Sequence, residues 1–177
     1  ATRPCSALAY PAIFWFAPPM RCGVNKPYLS RSSIKSSPMG TFFMNEALHR
    51  IALAWLEKAR HDLETARRAV EGEHPITDTA VYHCQQAAEK ALKAVLAEAG
   101  RPVSKTHDLI TLLTHCAARD QGFTQWIDLA ATLTPYATHF RYPCLDPDPG
   151  LEETLEAIEL AKDLYEFVRA RLDAHPG

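Results

Sequence analysis

Residues 78–99 read DTAVYHCQQAAEKALKAVLAEA, and this stretch decides the fold because it predicts a long, closely packed α-helix. Small side chains recur along it three and four positions apart, which places them on one helical face. They are Ala80, Cys84, Ala87, Ala91 and Val95. Such a face lets a neighbouring helix approach closely. Asp78 is the expected N-cap, and Gly100 followed by Pro102 is expected to end the helix.

Four more helices are predicted around this one, because apolar residues recur at helical spacing in four further stretches. These are residues 47–71, a short helix capped by Ser104 or Thr106 and running through Cys116, residues 123–140, and residues 151–172. Pro135 predicts a kink or an early end in the third of them. Pro143, Pro147 and Pro149 exclude a regular helix over residues 141–150. The predicted fold is therefore all-α, an up-and-down antiparallel bundle of about five helices.

The charge of the chain is divided unevenly along its length. Residues 1–43 contain five basic residues and no acidic residue, so they carry +5, and because the whole chain carries −2, residues 44–177 carry −7. An acidic body does not favour bulk attraction to a nucleic-acid backbone. A binding site for nucleic acid in this part would have to be a local one.

Residues 1–43 differ from the rest in composition as well as charge. They are rich in Pro, Ser and Arg and lack a helical period, and their apolar run at residues 7–17 is too short to span a membrane. We interpret them as an unstructured or non-native extension that only loosely imitates a signal or transit peptide. Met44, or alternatively Met39, is the expected natural start. The predicted domains are thus an extension at 1–43 and a helical domain at 44–177.

The five cysteines predict reduced thiols in a cytoplasmic protein. Their number is odd, and no Cys-x-x-Cys pair occurs. His83-Cys84 and His115-Cys116 are adjacent pairs, and adjacent residues on a helix point in different directions. They therefore lack ligand spacing, and the sequence predicts neither a metal site nor a bound cofactor.

Three motifs carry a resemblance to a known family. YHCQQAAEKALKAVL at residues 82–96 is similar to a second-helix pattern of Gln-Ala-x-Glu-Lys-x-Lys, and SKTHDLITLL at residues 104–113 is similar to the Lys-Thr-His-Asp-Leu segment that opens the next helix. Arg141-Tyr142-Pro143 matches an Arg-Tyr-Pro element after the fourth helix. In order and spacing these motifs resemble the HEPN family.

The resemblance implies a helical bundle that often dimerises and that is often encoded beside a minimal nucleotidyltransferase, with which it forms a toxin–antitoxin-like pair. Some members are metal-independent ribonucleases, and nucleotide binding has been proposed for several. A homodimer also fits the last predicted helix, whose second apolar stripe would be buried within the bundle or against a partner chain. That stripe comprises Leu160, Leu164 and Phe167.

Lys90 and Lys93 are candidate nucleotide-binding residues. They share a face of the second predicted helix with Gln86 and Glu89, and two lysines there could hold a phosphate as point charges. The alternative is a solvated stripe in which Glu89 and Lys93 form an i, i+4 ion pair.

His107 is a candidate general base or phosphate contact. It precedes a helix start, where unpaired backbone N–H groups favour anions, and its charge changes near neutral pH. The alternative is a capping residue, and Asp108 is expected to interact with the helix dipole. Ribonucleases of the family use an Arg followed by a His after four to six residues. That spacing joins Arg101 to His107, and also Arg67 or Arg68 to His74 and Arg169 to His175.

Arg141 and Tyr142 complete the candidate site. Arg141 could clamp a phosphate, and Tyr142 could stack on a base or anchor a dimer. Alternatively, Arg141 ties the loop to Asp146 or Asp148. No His follows Arg141 within reach, which departs from the ribonuclease pattern.

Three functions therefore remain open. The first is a binding and partnering module that works with a nucleotidyltransferase and takes a nucleotide or RNA as its ligand. The second is a metal-independent endoribonuclease toxin in which His107 acts with Arg101 or Arg141. The third is a helical scaffold without a ligand. None of them requires a membrane.

Overall fold

Five α-helices make up most of the described chain. The computed structural model describes residues 38–101, 105–141 and 147–174, with the side chains of all but residues 38–42 and Arg141. These ranges belong to one unit, residues 35–177, and no strand occurs within them. The helices are α1 (Pro38–Ala69), α2 (Thr77–Glu98), α3 (Leu109–Ala117), α4 (Ile127–Leu133) and α5 (Leu151–Ala174). The predicted all-α bundle is confirmed.

The centre of the bundle is α2, which packs against α1, α3 and α5. Its predicted small-residue face is buried: Ala80, Cys84, Ala87 and Ala91 are all 0% exposed. The core is therefore built on the close approach of helices to this alanine-rich face.

The two ends of α2 differ in how well they follow the prediction. Gly100 ends the helix with a φ of +64°, and the Gly100 and Arg101 N–H groups donate to the carbonyls of Ala97 and Leu96, as in a Schellman motif. At the other end, the prediction that Asp78 is the N-cap is wrong. Ile76 takes that position, because its carbonyl already accepts from the Ala80 N–H. Asp78 lies in the first turn.

The first helix begins earlier than its apolar pattern. It starts at Pro38, not at residue 47, and crosses the predicted boundary at residues 43 and 44. Phe43 and Met44 are 60% and 49% exposed, so this part of the helix lacks the buried stripe from which helices are predicted. The division at that boundary stays a prediction. Over the described residues, no helix combines the length and hydropathy that crossing a membrane requires.

The fourth predicted helix is broken into short segments. A 3₁₀ helix at Gln121–Trp126 precedes α4, and further 3₁₀ turns follow at Thr134–Ala137 and His139–Arg141. As Pro135 predicted, the α-helix ends just before it, at Leu133. The last of these turns packs against α2.

The second apolar stripe of α5 packs against the rest of the chain, with Leu164 buried and Leu160 and Phe167 half-buried. Leu164 is 0% exposed, and the Phe167 ring packs edge-on against the rings of Phe123 and Trp126, with centroids 5.1 Å apart in each case. The stripe is therefore packed at least partly within the bundle, the first of the two predicted alternatives, and burial of its half-buried residues against a partner chain stays a prediction.

The cysteines of the described ranges are buried thiols. Cys84 and Cys116 are free, and burial raises the pKa of each to about 12. The Cys116 thiol donates to the Leu92 carbonyl. A thiol of high pKa is a poor nucleophile and metal ligand. Cys5, Cys22 and Cys144 lie outside the described residues.

Candidate functional site

A buried carboxylate on α2 is the centre of the candidate site. Glu89 is 3% exposed, and its Oε1 accepts from Lys93 Nζ at 2.7 Å while its Oε2 lies 3.0 Å from His107 Nδ1. Burial by itself raises the pKa of this carboxyl, but the hydrogen bonds from Lys93 and His107 outweigh burial and hold the pKa below its ordinary value. Glu89 is therefore an anion bound to two basic side chains.

Two glutamines complete what we call the Glu89 cluster, which comprises Gln85, Gln86, Glu89, Lys93 and His107. Gln85 is 0% exposed, and its amide nitrogen donates to the His107 carbonyl at 3.0 Å and approaches Glu89 Oε2 at 3.3 Å. Gln86 donates to Gln85 Oε1 at 2.8 Å. These bonds tie the segment before α3 to the middle of α2.

The segment that holds His107 is fixed from its other side by helix capping. The N-cap of α3 is Asp108, and the prediction of Thr106 at that position is wrong. The Asp108 carboxylate accepts from the Ile110 N–H at 3.1 Å. The Thr106 hydroxyl accepts from the Asp108 N–H. Ser104, the other predicted cap, lies outside the described residues. His107 therefore precedes the helix start, as predicted, and is not itself the capping residue.

The imidazole of His107 is anchored on one side and open on the other. Its side chain is 68% exposed, although Nδ1 lies against Glu89. A carboxylate at Nδ1 fixes which ring nitrogen points outward, and here it is Nε2. The ring borders a recess of about 80 Å³, the His107 recess, lined also by Tyr82, Gln86, Ala137 and Thr138. His107 is thus a largely exposed imidazole at the edge of a recess.

The two predicted lysines lie in different clusters. Lys93 is 5% exposed, with Nζ bound to Glu89 and 5.8 Å from the centre of the Trp55 ring. The i, i+4 pair with Glu89 is as predicted, but it is buried and not solvated. Lys90 instead contacts Asp62 on α1, which also lies 3.0 Å from His83 Nδ1. We call these three residues the Asp62 cluster.

The Asp62 cluster consists of one carboxylate with one His and one Lys, which is also the composition of Glu89 with His107 and Lys93. Burial raises the pKa of the Asp62 carboxyl, but the hydrogen bonds from His83 and Lys90 outweigh burial and leave the pKa below its ordinary value. Both lysines are therefore paired with a carboxylate.

The predicted arginines lie at different ends of α2. Arg101 is exposed just beyond Gly100, more than two helical turns past Glu89. Arg141 ends the 3₁₀ turn that packs against α2, and Phe140 in that turn lines a recess with Asp78, Thr79 and Tyr82 near the start of α2. The backbone of Arg141 thus lies in a turn that packs near the start of α2, and Arg101 lies just beyond its end. The Arg141 side chain, Tyr142 and the carboxylate of Asp146 lie outside the described residues.

Several residues of the site were not predicted from the sequence. Gln85, Asp62 and Trp55 were not singled out as site residues, His83 was considered only beside Cys84 as a possible metal ligand, and Glu89 was considered only as a partner of Lys93. The available indication was that Gln85, Glu89 and Lys93 follow one another at i, i+4 beside an alanine face. Within the described ranges, no group of three or more His, Cys, Asp or Glu is placed to hold a metal ion.

Comparisons with known proteins agree on one family. The family model described as the HEPN domain matches residues 52–171. The crystal structure of TT1696 from Thermus thermophilus is 30% identical, with a TM-score of 0.57 over 67% of this chain and 96% of that one. The structure of ST0689, an archaeal HEPN homologue, is 27% identical, with a TM-score of 0.53 over 68% of this chain and 97% of that one. A comparison with curated proteins found no match. The chain therefore belongs to the HEPN family.

Proposed function

We propose that this protein is a binding module that takes a phosphate-bearing ligand, a nucleotide or RNA, at the surface around His107 and the His139–Arg141 turn. The observation that carries the proposal is the pairing of exposed His107 with buried Glu89 through Nδ1, which leaves Nε2 unbound to Glu89 on a residue that lines the His107 recess. A protonated imidazole held in this way donates a charge-assisted hydrogen bond to a phosphate oxygen. Arg141 and Tyr142 would supply the second phosphate contact and a base-stacking ring.

In this proposal Lys90 and Lys93 have an indirect role. Each is already bound to a carboxylate, so neither offers a full unpaired charge to a ligand. Lys93 instead compensates the charge of Glu89, which lets that buried carboxylate hold His107 in place. We expect the ligand to contact His107 first and the lysines only through this support.

Ligand binding is tested by titrating ATP and a short RNA at two salt concentrations into the wild-type protein and two variants. His107→Ala and Arg141→Ala should each weaken binding and flatten its salt dependence, because each removes a phosphate contact. His115→Ala is the matched control, since His115 is an exposed histidine on α3. Unchanged binding in both variants would remove the proposed site.

We also propose that the protein works as a homodimer with a nucleotidyltransferase-type partner, in a cytoplasmic toxin–antitoxin-like pair. Membership of the HEPN family supports this proposal, because such pairs are what the resemblance of the three motifs implies. A neighbouring gene for a small nucleotidyltransferase with a Gly-Ser and paired-Asp signature would identify the partner. Co-expressed, the two chains should elute together, and light scattering of this chain alone should give twice its 19.7 kDa mass. Separate elution and a monomer at micromolar concentration would contradict the proposal.

A second candidate function is metal-independent RNA cleavage, which the Glu89–His107 pair favours. In such a reaction His107 would take the proton of a 2′-hydroxyl, whose oxygen attacks the adjacent phosphorus and expels the 5′-oxygen, and an acid protonates that leaving group. His107→Ala should then abolish cleavage and leave partner binding intact. A wild-type protein that binds RNA without cleaving it supports the binding module alone.

A further inference from the structure

Two recesses meet at one tyrosine of α2. Tyr82 lines the His107 recess and also lines a larger recess of about 220 Å³, together with Asp78, Thr79 and Phe140. We call the larger one the Asp78 recess. Since a water molecule takes about 30 Å³ of liquid volume, the Asp78 recess has room for a planar ring system.

The lining of the Asp78 recess combines aromatic rings with a carboxylate. Tyr82 and Phe140 both line the recess, and aromatic side chains are platforms on which nucleobases stack irrespective of their sequence. Asp78 is half-buried, and its Oδ1 accepts from the Thr79 N–H at 2.6 Å, so the carboxylate is held at the start of α2. An ionised carboxylate only accepts hydrogen bonds, and because each oxygen has two lone pairs, the single bond from Thr79 leaves acceptor capacity on both oxygens.

This chemistry discriminates among the nucleobases. Guanine presents two adjacent donors on its Watson–Crick edge, N1–H and the 2-amino group, and a carboxylate can accept both. Adenine has the N1 lone pair beside its amino group, and cytosine has the N3 lone pair beside its amino group. In either base, a ring-nitrogen acceptor would face an acceptor oxygen of the carboxylate. Uracil offers one N–H between two carbonyls.

We propose that the Asp78 recess binds the guanine base of a nucleotide or of single-stranded RNA, with Asp78 reading its N1–H and 2-amino edge between Tyr82 and Phe140. The inference rests on the proposed function, because the phosphate of the same ligand would contact His107. Asp78 and Gln86 are eight residues apart, about 12 Å along the helix. A nucleoside polyphosphate or a short RNA can bridge that span.

The test compares binding of GTP, ITP and ATP, and of a uridine hexamer carrying a single G or a single A. We expect G to be preferred over A by at least about tenfold, the usual effect of one good bidentate contact to a base. Inosine lacks the 2-amino group, so ITP should lie between GTP and ATP. If the protein prefers G in the hexamers but not among the free nucleotides, its ligand is RNA. If it prefers G in the hexamers and among the free nucleotides, the recess binds both kinds of ligand.

Asp78→Asn is the decisive variant. The oxygen of the new side chain can still accept from the Thr79 N–H, but its NH₂ group is a donor and would face the donors of guanine. The variant should fold normally and lose the preference for G. Asp128→Asn is the matched control, since Asp128 is an exposed acid in the first turn of α4, and it should keep the preference. Phe140→Leu should weaken binding of every base and leave the G-to-A ratio unchanged.

The outcomes separate this inference from the proposed function. Equal affinity for G and A, combined with weaker binding in His107→Ala, would overturn the guanine site and leave the phosphate contact standing. A guanine preference that survives Asp78→Asn would likewise overturn it. Failure of all the nucleotides and both hexamers to bind would overturn both proposals.

Discussion

Glu89 is the residue on which the buried polar cluster depends, because it is the anion that Lys93 and His107 share. Glu89→Gln leaves the Lys93 ammonium group buried without a counter-charge. We expect a loss of about 3–5 kcal/mol in the free energy of unfolding, the usual cost of breaking a buried ion pair. Urea denaturation measures it.

Glu159→Gln is the control for that measurement. Glu159 pairs with Lys162 at i, i+3 on α5, and its side chain is 60% exposed. Exposed pairs contribute about 0–1 kcal/mol, so this variant should change little. Equal losses in the two variants would show that burial of the Glu89 pair has no energetic consequence.

The two buried carboxylates also predict how stability depends on pH. The pKa values of Asp62 and Glu89 are lower in the folded chain than their ordinary values of about 4. Their stabilising contribution is therefore fully present above about pH 4 and is lost as the pH falls through the lower, folded-state pKa values. Thermal melts from neutral pH down to about pH 2.5 should show a steep fall at the acid end, and the fall should be smaller in Glu89→Gln.

For individual residues, the sequence predicts ion pairs within one helix but not contacts between residues that lie far apart in the chain. The Glu89–Lys93 pair follows from i, i+4 spacing. Its burial does not, because Trp55 and His107, which adjoin it, lie on other segments of the chain. For the same reason, the contacts of Asp62 on α1 with His83 and Lys90 on α2 could not be predicted from the sequence.

Among the elements, α2 is the one that positions the site, and its glycine C-terminus can be tested. Gly100 has a φ of +64°, and an added Cβ would lie 3.2 Å from Leu48 Cδ1. Gly100→Ala should destabilise the fold by about 1–2 kcal/mol, the cost of a left-handed conformation for a residue with a Cβ, and by somewhat more because Leu48 must shift.

Gly72→Ala is the matched variant for Gly100→Ala. Gly72 also has a positive φ, +92°, but an added Cβ there would meet nothing within 4 Å. It therefore isolates the backbone strain from the contact with Leu48. Thermal or urea unfolding of the two variants should give the larger loss for Gly100→Ala, and the reverse order would contradict the role given to Leu48.

The α-helices could be predicted from the sequence, apart from the early start of α1, and the 3₁₀ segments could not. The face and the end of α2 follow from its alanine spacing and Gly100. The break of the fourth helix into 3₁₀ segments depends on packing, because Trp126 and Phe123 turn toward Phe167 on α5. The choice between i+3 and i+4 hydrogen bonds at that point is made by tertiary contacts that local propensity does not contain.

For the whole molecule, we expect residues 1–43 to be dispensable for folding. The buried hydrophobic residues of α1 begin at Ala52, well inside the remaining chain. A fragment comprising residues 44–177 should show a helical circular dichroism spectrum and a cooperative melt near that of the full chain. Because α1 begins at Pro38, a second fragment comprising residues 38–177 is the control for loss of the first helical turns. A full chain that melts cooperatively while the 44–177 fragment fails to fold would disprove the expectation, and folding of the 38–177 fragment in that case would assign the loss to residues 38–43.

The placement of Trp55 gives the protein a built-in optical reporter. Its indole is half-buried and lies 5.8 Å from the Lys93 ammonium nitrogen, so its emission depends on the charge and hydration of the Glu89 cluster. Replacing Trp15 and Trp126 with Phe would leave Trp55 as the sole indole fluorophore, because the chain has three tryptophans. Titrating a nucleotide should then shift or quench this emission, so that occupancy of the site can be followed in real time without a label.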